Sequence, residues 1–282
     1  MARSHRVGRG LLILAACGLA VAARAQDWGT FSTPTPAPTE IFGTYNRGCL
    51  QGAEALPLDG AGYQVMRLSR GRYYGHPSLV HFVETLASEV RGEGYPGLLV
   101  GDMAQPRGGP MPSGHASHQI GLDVDIWFLP APGHPLTDGE RERLSAPSMV
   151  ADGGFGVTAD WGPAQIAALH DAATMPEVAR IFVNPAIKKE LCQTVTDRAW
   201  LAKIRPWWGH DAHFHVRLAC PPGADGCVGQ APVAADDGCD SSLDWWFTAA
   251  ARAELEKNKA APVKRLTLYD LPPGCLAVFA GG

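Results

Sequence analysis

Charge is scarce in this chain. Asp, Glu, Lys and Arg make up 18% of its 282 residues, and 24 basic against 28 acidic residues leave a net charge of −4. Nucleic-acid binding normally requires a basic stripe, so this balance argues against that partner. The sequence has no CxxC pair, which argues against a zinc–thiolate site. It has no GxSxG elbow and no SxxK run, so an activated serine nucleophile finds no support. There is no internal repeat. Beyond the first 22 residues no apolar run approaches the ~18–20 residues that span a bilayer.

The amino terminus has its own pattern. Arg3, Arg6 and Arg9 precede the apolar run "LLILAACGLAVA", and "ARA" then supplies small residues up to Ala25. This pattern predicts a secretory signal peptide over residues 1–25, cleaved after Ala25. "LAAC" resembles a lipoprotein cleavage site, but the residues after Cys17 stay apolar. Of the seven cysteines, Cys49, Cys192, Cys220, Cys227, Cys239 and Cys275 lie beyond that segment. An even set in an exported chain predicts a disulfide framework, with the pairing left open by the sequence. "CPPGADGC" is a turn-rich loop that a local bridge would close.

Residues 26–41 read as a proline-rich, extended lead-in. Three helices are predicted: "HPSLVHFVETLASEVRGEG", with Pro77 in its first turn and an apolar stripe, then "PAQIAALHDAA", then "AIKKELCQTV". "GLLVGDM" and "ARIFVNP" read as strands. In the tail, "TAAARAELEKNK" reads as a short helix and "LPPGC" as ending in a turn. The mixture predicts an α+β fold.

Two stretches stand out against the low charge. "SGHASHQIGLDVDIWF" and "HDAHFHVR" hold five of the ten histidines: His115, His118, His210, His213 and His215. "LDVDIWF" and "HFHVRL" alternate strictly and predict strands. With period two, Leu122, Val124, Ile126 and Phe128 face one way, Asp123 and Asp125 the other. Likewise Phe214, Val216 and Leu218 oppose His213, His215 and Arg217. If the strands are neighbours, one sheet face gathers two carboxylates and two imidazoles, and the preceding loop adds His115 and His118. Carboxylates so close repel unless a cation or proton neutralises them. A divalent metal with His and carboxylate ligands meets that need, and zinc suits the set. The plainer alternative places Asp123 and Asp125 on the exposed face of an edge strand.

His118-x6-Asp125 followed by His213-x-His215 resembles the zinc signature shared by lysostaphin-type peptidases, D-Ala-D-Ala metallopeptidases and the hedgehog signalling domain. The strings "RYYGHPSLVHF", "GDMAQPRGG", "GHASHQIGLDVDI", "RIFVNPAIKKELC" and "HDAHFHVRLACP" resemble one branch closely, the penicillin-insensitive murein endopeptidases. The resemblance implies a small, mostly antiparallel central sheet carrying a zinc site, flanked by helices and stabilised by disulfides. It implies a zinc peptidase domain over residues 42–240 and a tail, 241–282, tied back by a disulfide. The implied enzyme is periplasmic. It acts on peptidoglycan and uses a zinc-activated water to cut D-alanyl–meso-diaminopimelyl cross-links.

Carried over residue by residue, the resemblance makes His118, Asp125 and His215 the zinc ligands, with His213 and His210 catalytic. His115 is implied as a further metal ligand or close neighbour, and Asp123 as the residue that holds a ligand histidine. Asp152 would belong to an auxiliary metal site whose last ligand is a histidine. Phe155 stands at that last position here, so one zinc is expected. The implied disulfides are Cys49–Cys275, Cys192–Cys239 and Cys220–Cys227. A D-Ala-D-Ala carboxypeptidase of the same group, or a non-catalytic zinc or cell-wall binding module, are the alternatives.

Overall fold

The computed structural model describes residues 27–262 and 265–281. The expected signal peptide, residues 1–25, lies outside them. Among the described residues, β1 (Glu40–Thr44) and β2 (Arg47–Gln51) form a hairpin, and β3 (Glu54–Ala55) pairs with β6 (Tyr74–Gly75). The remaining strands are β4 (Asp59–Gly60), β5 (Tyr63–Val65), β7 (Leu98–Val100), β8 (Asp123–Trp127), β9 (Val178–Val183), β10 (Ile204–Pro206) and β11 (His213–Leu218). They build one sheet of seven strands in the order β10-β9-β11-β8-β7-β5-β4. β10–β9 and β5–β7 are parallel, and the other pairs are antiparallel. The sheet is larger than expected because it extends through strands of two or three residues, too short to show a period in sequence.

Seven α-helices among the described residues accompany these strands: α1 (Pro77–Gly92), α2 (Asp138–Arg143), α3 (Pro163–Thr174), α4 (Pro185–Thr194), α5 (Ser241–Asp244), α6 (Ala249–Ala260) and α7 (Gly274–Ala280). α1 starts where His76 caps the Ser78 N–H and Pro77 occupies the first turn, whose N–H has no helical partner in any case. Its stripe Leu79, Phe82, Val83, Leu86 and Val90 is buried, each side chain contributing ~1.5–3 kcal/mol. Val124, Ile126, Phe128, Phe214, Val216 and Leu218 meet that stripe and Leu169 of α3 in the main core. The apolar faces of β8 and β11 are thus held from one side by helices.

α7 corrects the expected turn at "LPPGC". Pro273 precedes the first helical residue, and Cys275 and Val278, three apart, are its only buried positions. A stripe of two residues is too short to announce a helix. These two side chains pack with Leu271, Trp28 and Cys49 in a second, smaller cluster. Leu243 of α5 joins the main core instead.

Three disulfides close: Cys49–Cys275, Cys192–Cys239 and Cys220–Cys227. The second ties α4 to the segment before α5, and the third closes the loop after β11. Replacing Cys192 and Cys239 together by serine is expected to cost ~2–5 kcal/mol. A urea titration reads this as a lower midpoint, and an unchanged midpoint would contradict it.

Candidate metal centre and active site

β8 and β11 lie side by side in the middle of the sheet. Their register sets His215 opposite Asp125, His213 opposite Trp127 and Arg217 opposite Asp123. The polar face is itself buried: Asp123 is 0% exposed, Asp125 3%, His215 3% and Arg217 7%. That excludes an exposed edge-strand face and creates an electrostatic problem that the neighbouring side chains must solve.

Asp123 is solved by a cation and two donors. Arg217 donates to its carboxylate through Nε at 2.7 Å and Nη2 at 3.0 Å, and the His118 backbone N–H donates at 2.9 Å. Burial opposes its ionisation, but Arg217 and then His215 outweigh that and hold the carboxyl well below the usual range.

Asp125 is solved differently. Its Oδ1 lies 3.1 Å from His215 Nδ1, 3.5 Å from His118 Nε2 and 3.6 Å from His213 Nε2. Its Oδ2 lies 3.4 Å from His115 Nε2. Burial again opposes ionisation, and the imidazoles, His213 foremost, hold the carboxyl well below the usual range.

His118 arrives on the loop before β8. Its backbone is left-handed, with φ of 66°, and its side chain is fully buried. The loop then passes Gly121, where a Cβ would meet the His76 backbone nitrogen at 2.8 Å. His118 Nδ1 lies 3.2 Å from the Asp123 carbonyl oxygen. A carbonyl only accepts, so Nδ1 carries the proton and Nε2 is left with its lone pair. Burial depresses the basicity of this imidazole. Both His118 Nε2 and Asp125 Oδ1 are buried without a hydrogen-bond partner. Two electron-rich atoms facing each other without a proton between them call for a cation.

The spacing fits one. Nitrogen and oxygen ligands ~2.0–2.1 Å from a tetrahedral ion lie ~3.3–3.4 Å from each other. The donors of His115, His118 and Asp125 all lie within 4.8 Å of one another and form a group able to hold a metal. His215 adds Nδ1 to the same carboxylate oxygen, while its Nε2 lies 3.2 Å from Asp123 Oδ1. Burial disfavours the charged form of His215, but Asp123 outweighs that and pushes its pKa up to about 9.

His115 is shared between two carboxylates. Its Nε2 lies 3.1 Å from Asp102 Oδ2 as well as near Asp125. Asp102 follows β7 and is locked to β8, since the Asp125 N–H donates to the Asp102 carbonyl at 3.0 Å. Arg72 Nη1 at 2.8 Å and Arg70 Nη1 at 3.0 Å complete the cluster. Burial opposes the Asp102 charge, yet His115 and the arginines bring its carboxyl down to about 2. Asp102, Arg70 and Arg72 escaped the sequence reading. The available signal was a carboxylate placed two residues after the buried run "GLLV".

His213 and His210 stand on the open side. With Asp125 and His115, His213 lines a cleft of about 260 Å³ whose wall also carries Arg67 and Arg70. His210 lies in the loop before β11, its ring 5.2 Å from His213 and 5.7 Å from His215. Its Nδ1 is 3.1 Å from the Trp208 carbonyl. Burial, then His215 and His213, push its pKa down to about 3, so the ring is neutral. The non-glycine residues with left-handed backbone are Arg67, His118 and His210, among the described residues. Each costs ~1–3 kcal/mol, and such strain gathers at functional sites.

Asp152 stands apart from this constellation. It is exposed on a turn and belongs to neither the metal-capable group nor the cleft wall. Phe155, three residues on, stacks on Phe247 at 6.3 Å.

Comparison with known proteins agrees with the motifs. The family model for penicillin-insensitive murein endopeptidase matches residues 41–280. A penicillin-insensitive murein endopeptidase of Klebsiella pneumoniae (strain 342) is 43% identical over 271 residues, covering 95% of this chain and 96% of its own. One from Haemophilus influenzae (strain Rd) is 44% identical over 251 residues, 84% of each chain. One from Escherichia coli (strain K12 / DH10B) is 40% identical over 277 residues, 98% of each. The match spans nearly all of the described fold and both histidine stretches, and the chain belongs to the penicillin-insensitive murein endopeptidase family.

Proposed function

We propose that this protein is a zinc-dependent murein DD-endopeptidase that hydrolyses D-alanyl–meso-diaminopimelyl cross-links of peptidoglycan. The carrying observation is the buried pair His118 Nε2 and Asp125 Oδ1, both without a hydrogen-bond partner, with His215 Nδ1 3.1 Å from that oxygen. His118, Asp125 and His215 would hold the ion, and His115, drawn toward Asp102, is the weaker ligand. Zinc in that position supplies Lewis acidity, lowering the pKa of a water to roughly 7 and polarising a carbonyl.

The chain's own groups do the rest. His213 lines the cleft, and its role in this reading is to take a proton from the attacking water and pass it to the departing amine. His210 stays neutral, with Nδ1 turned to the Trp208 carbonyl and Nε2 left as an acceptor. Asp123 accepts from His118 Nδ1 through its carbonyl and sets its carboxylate against His215 Nε2, and Asp102 orients His115. A non-catalytic module would need neither His213 at the cleft nor His210 beside it. The periplasm suits the three disulfides and the signal-like amino terminus. No helix among the described residues is long and apolar enough to cross a membrane.

One digestion tests the reading. Purified cross-linked muropeptide dimers are incubated with the mature protein alone, with a chelator, with chelator followed by zinc, and with penicillin. Mass spectrometry should find monomers with stems intact to the D-Ala. Chelation should stop their formation, zinc should restore it, and penicillin should have no effect, because no acyl-serine forms. Full activity of a metal-free chain, or a penicilloyl adduct with loss of activity, would overturn the mechanism. Release of free D-Ala from pentapeptide stems without dimer cleavage would assign a carboxypeptidase.

A further inference from the structure

An aromatic ridge leads away from the histidines. The Phe182 ring lies 5.4 Å from His215 and 6.1 Å from His210. Trp207 follows at 6.1 Å from Phe182, and Trp246 at 6.3 Å from Trp207. Trp245 lies 5.4 Å from Trp246. Trp207 is 56% exposed and Trp245 40%. Two exposed indoles joined through the half-buried Trp246 present more aromatic surface to water than folding requires.

We infer that this ridge is a saccharide-binding platform that seats sugar rings of the glycan strand while the peptide cross-link occupies the cleft. The inference rests on the proposed murein substrate. A pyranose ring presents a face of C–H groups that stacks on the electron-rich face of an indole, leaving its hydroxyl and N-acetyl groups in water. The ridge runs into the catalytic histidines, so whatever covers it is continuous with the substrate. The reach also agrees. About four stem residues separate the scissile D-alanyl carbonyl from the sugar, an extended reach of ~14 Å or more. The ring-to-ring steps of 5.4 and 6.1 Å from His215 through Phe182 place Trp207 within that span.

The platform is built in advance. The Trp207 backbone N–H donates to the Val183 carbonyl at 2.8 Å, fixing the main chain directly after β10. Trp245 and Trp246 follow α5, which is anchored by buried Leu243 and begins just after the Cys192–Cys239 bridge. Little ordering remains to be done when a ring lands on it.

The test separates glycan binding from hydrolysis. Binding of peptide-free N-acetylglucosamine–N-acetylmuramic acid strands to the mature protein is measured by calorimetry. Trp207→Ala and Trp245→Ala should each weaken it about tenfold. On cross-linked dimers, the rise in KM for the disaccharide-bearing form should exceed that for the sugar-free peptide by a similar factor. Both variants replace exposed side chains, and unchanged circular dichroism and melting will show that they fold. Absence of strand binding by the wild-type protein, or equal penalties on both dimers, overturns the inference. So does tryptophan-dependent binding to anionic lipid vesicles without glycan binding, which would make the ridge a membrane contact. Strand binding that needs Trp207 and Trp245 in a protein that cleaves no cross-link upholds the platform and removes the endopeptidase reading.

Discussion

His215→Ala is expected to lose both its metal and its cross-link cleavage, whereas His213→Ala keeps the metal and loses activity by ~10²-fold or more. The two residues share a strand face and stand two positions apart, so chain position alone does not separate them. Their surroundings do. His215 is 3% exposed, with Nδ1 at 3.1 Å from Asp125 and Nε2 at 3.2 Å from Asp123. Nε2 faces the Asp123 carboxylate without a formed hydrogen bond, and Nδ1 faces the carboxylate oxygen of the proposed ion site. His213 has only the longer 3.6 Å approach to Asp125 and opens onto the cleft. Its removal leaves the donors of His118, Asp125 and His215 in place. Metal content by mass spectrometry, set beside kcat/KM on the same preparations, decides the matter. Equal loss of metal from both variants would show that His213 is a ligand and that the proton carrier lies elsewhere.

The two strands behind this contrast were legible in the alternation of "LDVDIWF" and "HFHVRL", while their pairing was only a condition that the fold supplies. Period two put Asp123, Asp125, His213 and His215 on one face, and the observed register sets His215 against Asp125. Burial of that face was not legible. Charged residues opposite an apolar stripe read the same whether water or a polar network covers them. Here the cover is Arg217, His118 and the Asp102 cluster, brought in from separate parts of the chain. Asp102 has no periodic partner, and Arg70 and Arg72 act through a contact made only when β7 lies beside β8. The left-handed backbone of His118 and His210 leaves no mark in composition, since neither is a glycine. The aromatic ridge was hidden for a similar reason, because Phe182, Trp207 and Trp245 come from three segments that only the fold makes adjacent.

Asp123→Ala is expected to cost stability and metal affinity together, and a second substitution should separate them. Asp123 serves three neighbours at once. Its carboxylate takes two hydrogen bonds from Arg217 and one from the His118 N–H. It also faces His215 Nε2 at 3.2 Å, and its carbonyl faces His118 Nδ1 at 3.2 Å. Truncation leaves Arg217, 7% exposed, with its charge opposed by no carboxylate in that network. An uncompensated buried charge costs ~3–5 kcal/mol, so the urea midpoint should fall accordingly. Loss of the group that orients a metal-ligating histidine costs ~10–100-fold in metal affinity, read by chelator competition. In Asp123→Ala/Arg217→Met the stranded charge is gone and an unbranched side chain fills its space, between the rings of Tyr45 and Phe182. Most of the stability should return. The metal affinity should not, because the Asp123 carboxylate that faces His215 Nε2 at 3.2 Å is still missing. Recovery of both would mean that Asp123 acts only by neutralising Arg217, and that the ligand imidazoles are held by their backbone and packing alone.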